Sequence, residues 1–333
     1  MVWKIAILNP LRVLIVGCGN IASVFDQGRS AGDLPLTHAG GYSRDTHFYV
    51  AACVEPDNNR LGAFLDAWQV PNGFHSIDEA LDSGNQFDVI SICSPTQYHV
   101  QDINKAMRFK PKVIFCEKPV TLSSLETEAL VIECEKLGIQ LAVNYTRRWD
   151  PDIIQLKGDM LAGRWGELRS VLGAYNKGIL NNGSHMVDLL HLLVGPTAIV
   201  NVGKPTCDYF PDDPTVPVWL AGPQEVPVHL ACGHAKDYAM FELQFVFSLG
   251  VLTMEEGGMF WRERRVIDSN TFKGYRILDE GARRMGKYPN AMTQAIDNIY
   301  RTISLGEPLA STGVTALSTQ RVCEEIKRQS FLQ

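Results

Sequence analysis

Arg12-Val13-Leu14-Ile15-Val16-Gly17-Cys18-Gly19-Asn20-Ile21-Ala22 is the stretch whose reading decides the fold. Five mostly apolar, β-branched residues run into a glycine turn, and Ser23 to Phe25 then open a predicted helix. Each position has a physical task. Gly17 permits a tight turn, Gly19 lets backbone approach a pyrophosphate without a β-carbon, and Ala22 lets a helix pack close to the strand. Free N–H groups at Asn20, Ile21 and the helix start would then face the anion. A plain strand–helix turn uses the same residues, so the surrounding segments have to decide.

Working outward, further apolar runs stop at polar residues in the same manner. Phe48 to Val54 ends at Glu55, placed to accept hydrogen bonds from an adenosine ribose, although the polar, glycine-rich stretch 26–45 makes the spacing longer than usual. Phe87 to Cys93 ends at Ser94-Pro95-Thr96, and Lys112 to Cys116 ends at Glu117-Lys118-Pro119. Helical stretches at Ile77 to Leu81, His99 to Met107 and Ser123 to Leu137 alternate with these strands. Such alternation predicts an α/β fold with a doubly wound parallel sheet, whose ligands sit beyond the carboxyl ends of the strands. A fifth strand, Ile139 to Val143, ends at Asn144-Tyr145-Thr146-Arg147-Arg148, where either arginine could hold a substrate anion or hydroxyl.

The chain has 333 residues, enough for two sizeable cores. Its formal net charge of −6 gives no broad attraction to nucleic acid or anionic lipid, and the cluster Arg262, Arg264 and Arg265 reads as a solvated strand or turn. No stretch approaches the ~18 apolar residues of a membrane helix. The opening run from Val2 to Val16 is broken by Lys4, Asn9, Pro10 and Arg12 and lacks the pattern of a signal peptide. The scattered cysteines form no C-x-x-C pair and read as small buried hydrophobes of a reducing cytoplasm. His185 with His191, and His229 with His234, lack metal-site spacing, so no metal is expected.

Taken in order, these motifs resemble the glucose–fructose oxidoreductase, inositol dehydrogenase and MocA (Gfo/Idh/MocA) family over almost the whole chain. The resemblance rests on Gly17 to Ala22, Ser94-Pro95 followed by His99, Glu117-Lys118-Pro119, Asn144 to Arg148 with Asp150-Pro151, and Gly183-Ser184-His185 followed by Asp188. It implies an N-terminal Rossmann domain, residues 1–145, and a C-terminal α/β domain, 146–310, with an open, mostly antiparallel sheet. A last helix at 311–333 would return to the first domain, and the sheet would form a homodimer or homotetramer. Leu168 to Ala174, Val228 to Ala231, Ala239 to Phe247 and Val251 to Met254 read as strands of that sheet. The proline- and aspartate-rich stretch Pro205 to Pro227 reads as a loop or lid.

The resemblance also implies an NAD(P)-dependent enzyme moving hydride between nicotinamide and a secondary carbinol or carbonyl of a sugar, nucleotide sugar or cyclic polyol. Cofactor contacts then fall to Gly17, Gly19, Asn20, Ile21, Ala22, Glu55, Ser94, Pro95, Thr96, His99, Glu117 and Lys118. Lys118 would stabilise a developing alkoxide and His185 exchange the hydroxyl proton, with Tyr145, Arg148, Asn181 and Asp188 around the substrate. Asp188 follows His185 by three residues, placed to orient the imidazole or bond backbone. Many relatives carry an aspartate where this chain has Asn181, which cannot take a proton. Two alternatives therefore stand: a tightly bound NAD used transiently for epimerisation or glycoside cleavage, and a non-catalytic dinucleotide sensor or scaffold. Glu55 would repel a 2′-phosphate and so favours NAD over NADP, against which Asn58, Asn59 and Arg60 could compensate.

Overall fold

The computed structural model describes residues 10–30 and 32–332, so the opening run before Pro10 lies outside the described residues. The chain divides into two compact units, 1–144 with 292–316 and 145–291 with 317–333.

The first unit carries six parallel strands: β1 (Leu11–Val16), β2 (Phe48–Val54), β3 (Gly73–Phe74), β4 (Val89–Ile92), β5 (Val113–Cys116) and β6 (Gln140–Val143), in spatial order β3-β2-β1-β4-β5-β6. Continuous apolar runs make this sheet, because a parallel sheet is covered on both faces. Val13 to Val16, Val89 to Ile92 and Val113 to Cys116 are buried throughout. Between the strands lie α1 (His38–Ser43), α2 (Asn58–Trp68), α3 (Ile77–Asp82), α4 (His99–Met107) and α5 (Ser124–Leu137). Helix α5 shows why boundaries were readable. The Ser123 hydroxyl accepts from Leu125 N–H at its start, and Gly138, at φ 70°, ends it in the left-handed conformation.

One expectation fails at the start of the domain. The helix expected from Ser23 is one turn and a 3₁₀ turn, Val24–Asp26, and α1 begins only at His38. The cause is Asp26, whose carboxylate accepts the N–H groups of Leu36 and Thr37 and the Thr37 hydroxyl, tying these residues back to the 3₁₀ turn. His38 and Ala39 N–H groups then donate to Ile21 and Ala22 carbonyls, so α1 stays tied to the glycine turn.

The second unit holds α6 (Pro151–Leu161), α7 (Ser184–Leu193) and strands β7 (Leu168–Tyr175), β8 (Ala198–Val202), β9 (Thr206–Phe210), β10 (Asp213–Thr215), β11 (Val218–Ala221), β12 (Pro227–Cys232), β13 (Phe241–Phe247), β14 (Gly250–Glu255), β15 (Phe260–Asp268), β16 (Arg276–Leu278) and β17 (Ala282–Met285). Its main sheet runs β16-β15-β14-β13-β7-β12-β11-β8, with β17 beside β15. The pair β7–β12 is parallel and the rest antiparallel. Strand β13 states the logic: Phe241, Leu243, Phe245 and Phe247 are buried while the residues between them are half-exposed, as in a sheet with one covered face. Arg262, Arg264 and Arg265 lie on β15, with Arg262 donating to Glu255.

Two further expectations need correction. Pro205 to Pro227 is not a loop or lid; it contains β9, β10 and β11, because Val218 and Leu220 enter the core and the Asp208 and Asp213 carboxylates accept backbone N–H groups. The C-terminal helix α9 (Gly313–Ser330) does not return as a whole to the first domain. Residues 317–333 group with the second unit, whose core includes the fully buried Cys323 and Ile326. What returns is 292–316, mostly helix α8 (Ala291–Leu305), because Met292 and Ile296 pack where Gly41 has no β-carbon.

Asp150 caps α6 through Asp152 N–H (2.9 Å), and its Oδ2 is buried without a hydrogen-bond partner. Burial, aided by the Asp152 charge, pushes its carboxyl from the ordinary 3.8 up to about 7, against the Asp152 N–H, Arg147 and Arg284. The folded state therefore keeps this proton to higher pH than the unfolded chain. Its stabilisation is complete below about pH 4 and is lost as pH rises through about 7. Asp150→Asn, which keeps the cap, should gain about 2–4 kcal/mol over wild type on going from acid to mildly alkaline pH. Melting temperatures across that range check this; a difference independent of pH would exclude Asp150 as the titrating group.

Candidate active site

In the first unit the predicted cofactor residues gather along the carboxyl edge of the sheet. Gly17, at φ 86°, passes so close to β4 that a β-carbon there would lie 2.7 Å from Ser94 N. Glycine is required on both counts. At Gly19 a β-carbon would meet nothing within 4 Å, so its backbone faces open space where a pyrophosphate can approach. Asn20 is exposed, Ile21 half-buried and Ala22 fully buried against the strand. A cavity of about 460 Å³ opens beside the turn, lined by Gly17, Glu55, Arg60, Ser94, Pro95 and Tyr98 among others, a size suited to an adenosine. These residues fit a dinucleotide.

Glu55 does more than wait for a ribose. Its Oε2 accepts Cys18 N–H (3.0 Å), and Oε1 accepts Asp57 N–H (3.1 Å) and the Arg60 guanidinium (2.7 Å). Burial opposes ionisation, but those donors together hold the carboxyl below its usual range. The acid therefore fixes the turn itself, with a half-exposed cation on its outer side.

His99 was expected to touch the cofactor, and the structure places it otherwise. It is 1% exposed, with Nε2 facing Ser94 O (2.7 Å) and Nδ1 facing Val120 O (3.0 Å). It clamps the Ser94 turn to the segment after Lys118. Ser94 donates its hydroxyl to Asp102 (2.6 Å), while Pro95 is exposed and Thr96 half-buried on the adjoining 3₁₀ turn.

Glu117 ends β5, and its Oε1 accepts from Asn144 Nδ2 (2.6 Å) and His38 Nε2 (3.0 Å). Burial alone would raise its carboxyl; the His38 and Asn144 hydrogen bonds, with the His38 and Lys118 charges, pull it below the ordinary value. His38 was missed by sequence reasoning, because 79 residues separate it from Glu117 and no local pattern marks it. Lys118 follows directly and is half-buried.

In the second unit, a π-helical turn, Gly178–Gly183, leads into α7 and carries Asn181. The Asp213 carboxylate accepts Leu180 and Asn181 N–H groups (both 2.8 Å), and Asn181 Nδ2 donates to Lys177 O (3.0 Å). His185 is half-buried in the first turn of α7, its ring 5.4 Å from Tyr145 and 6.5 Å from Phe241, both edge-on. Asp188 does not turn towards the imidazole. Arg148 Nε donates to both its oxygens (2.8 and 2.9 Å) in a pair that is 6% and 1% exposed. Burial outweighs the arginine and pushes the Asp188 carboxyl up to about 6.

Arg148 and Tyr145, expected at the substrate, are thus buried supports of the helix bearing His185. Arg147 is the more accessible of the two arginines. Its guanidinium lies 4.0 Å from the Phe241 ring and 4.9 Å from Tyr288, and Nε donates to Gly257 O. Lys118 belongs to the first unit and His185 to the second.

Known proteins carry the same pattern. Residues 11–145 match the model of an oxidoreductase family with an NAD-binding Rossmann fold. An uncharacterized oxidoreductase of Bacillus subtilis is 34% identical over 127 residues, 38% of this chain and 37% of that protein. Inositol 2-dehydrogenase of Rhizobium meliloti is 31% identical over 93 residues, 28% of each chain. The matched stretches therefore span well under half of these relatives. Across 98% of this chain and 100% of the other, the structure superposes on UDP-N-acetylglucosamine 3-dehydrogenase of Acidithiobacillus ferrooxidans with a TM-score of 0.73 at 19% identity, a likeness of fold. Strand order, glycine turn and sequence match agree that residues 11–145 are similar to the NAD-binding Rossmann fold of the Gfo/Idh/MocA oxidoreductase family.

Proposed function

We propose that the protein is an NAD(P)-dependent dehydrogenase or reductase that moves hydride between nicotinamide and a secondary carbinol or carbonyl of a sugar, nucleotide sugar or cyclic polyol. The observation that carries this reading is the gathering of Gly17, Glu55, Ser94 and Lys118 at the carboxyl edge of one parallel sheet, where such folds bind and use a dinucleotide. The named dehydrogenases it resembles act on inositol and on a nucleotide sugar.

When bound, the nicotinamide supplies or accepts the hydride. The chain's own groups handle the proton and the charge. Lys118 stabilises negative charge developing on the substrate oxygen, and His185 takes or returns the hydroxyl proton. The Arg148–Asp188 pair and the Asp213 cap hold the two ends of the His185 segment, so the imidazole is presented from a fixed helix start. Asn181 positions backbone and takes no proton.

Lys118→Ala and His185→Ala should each lower turnover by about 10²–10⁴-fold while leaving the cofactor dissociation constant within about threefold of wild type. Reduced-nicotinamide absorbance over a panel of sugars, polyols and nucleotide sugars checks this. Unchanged turnover in both variants would overturn the assignment.

NAD is the favoured cofactor, since Glu55 follows β2 and lines the cavity with Arg60, and a carboxylate at that position would repel a 2′-phosphate. Glu55→Gln should narrow the NAD-over-NADP preference by about tenfold in dissociation constant. A wild-type protein that binds NADP more tightly would refute this.

The exposed face of the second sheet supports a homo-oligomer. Leu172 and Trp219, 43% and 44% exposed, both stand opposite His229 in register, forming an exposed row across β7, β12 and β11 in which the Trp219 and His229 rings stack. Trp219→Lys should shift native mass spectra towards monomer; an unchanged assembly would place the interface elsewhere.

A further inference from the structure

Asp102 stands on the wall of the cavity beside the glycine turn, and nothing in the chemistry above uses it. It lies on α4, one turn after His99, and is 9% exposed. Its Oδ2 accepts the Ser94 hydroxyl (2.6 Å), while Oδ1 accepts from no group among the described residues. Burial pushes the carboxyl above its ordinary range, and the Ser94 hydroxyl offsets this only in part. Holding Ser94 does not call for a charge. An asparagine carbonyl would accept the same hydroxyl without the cost of a nearly buried anion.

The rest of the wall shows what the spare oxygen can meet. The other carboxylate there, Glu55, has both oxygens filled, one by Cys18 N–H and the other by Asp57 N–H and Arg60. Ser94 has spent its proton on Asp102, and Ser76 Oγ accepts Glu79 N–H at the start of α3. Val54, Ile77 and Pro95 give the cavity apolar walls that suit the faces of a flat base. Of the two carboxylates on the wall, only Asp102 therefore keeps an oxygen open to a donor. A carboxylate accepts and never donates, so it favours a base edge that carries N–H groups. Adenine presents an exocyclic amine at C6; hypoxanthine and guanine carry a carbonyl oxygen on that carbon, which would face the anion unpaired.

We propose that Asp102 is a specificity residue for the base of the cofactor: its open oxygen accepts the exocyclic amine of adenine, so the cavity takes adenine dinucleotides and rejects those with a 6-oxo purine. This rests on the cofactor half of the dehydrogenase reading and is independent of the hydride step.

Calorimetric titration of the full chain with NAD and with nicotinamide hypoxanthine dinucleotide, which differ at C6 of the purine, tests it. The 2′-phosphorylated pair serves if NADP binds better. Wild type should bind the adenine form about 10- to 100-fold more tightly, the range of a hydrogen bond to a charged group. In Asp102→Asn the carbonyl keeps the Ser94 hydroxyl and the amide N–H groups turn to the base, where they can donate to a 6-oxo group. The ratio should then fall to about threefold or less, or reverse. Asp102→Ala should bring the two dissociation constants within about threefold of each other. A role confined to holding Ser94 predicts an unchanged ratio in Asp102→Asn and an equal loss for both dinucleotides in Asp102→Ala. Equal wild-type affinities, or a ratio unchanged in Asp102→Asn, would overturn the proposal even in an enzyme that oxidises a sugar; Asp102→Asn alone decides if Asp102→Ala does not fold. Wild type that binds none of these dinucleotides would refute the cofactor site itself, and the proposal with it.

Discussion

The structure of the first domain depends on one close approach, that of Gly17 to the backbone of Ser94. At φ 86°, with only 2.7 Å between a notional β-carbon and Ser94 N, no side chain fits there. Because the ends of β1 and β4 pass this closely, Gly17 N–H can reach Val54 O while Cys93 N–H reaches Val16 O, each at 2.8 Å. The neighbouring Cys18 N–H is thereby aimed at Glu55 and the Gly19 backbone at open space. The cavity wall, the acid and the Ser94 turn follow from it.

That approach was readable in advance because it is local: a β-branched run, two glycines and an alanine fix it within eleven residues. The same holds for α4, found at His99–Met107 as the residues suggested, and for α5 between its serine and glycine caps. What could not be read depends on groups distant in sequence. His38 meets Glu117 across 79 residues, and Asp188 chooses Arg148, 40 residues away, over the nearer His185. Residues three apart share a helix face, but which partner each finds is set by what tertiary packing brings there.

The two local misreadings run in opposite directions. After Ala22 the glycine-turn pattern suggests a helix where the chain makes a 3₁₀ turn and a loop, whereas the proline- and aspartate-rich composition from Pro205 to Pro227 suggests a loop where strands form. In the structure the aspartates are the organisers. Asp26 ties Leu36 and Thr37 back to the 3₁₀ turn, whereas Asp208 and Asp213 receive backbone N–H groups and let β9 and β10 pair beside the Asn181 turn. A carboxylate with several backbone donors can replace a run of apolar contacts in fixing a chain, but its targets lie elsewhere in the sequence.

The two units solve one problem in the same way. A side chain meant for chemistry has to stay partly accessible, so packing cannot immobilise it. In each unit a buried carboxylate lies next to the residue we propose for the chemistry: Glu117 beside Lys118, and Asp188 one turn beyond His185. Each carboxylate is costly to bury, and each is satisfied by donors from elements that must be in place for the site to exist. For Glu117 these are α1 and the end of β6, and for Asp188 the Arg148 turn and Thr319 of α9. Replacing either acid alone by an apolar residue would strand its buried donors, Arg148 above all, and would free the lysine segment or the helix start from its anchor.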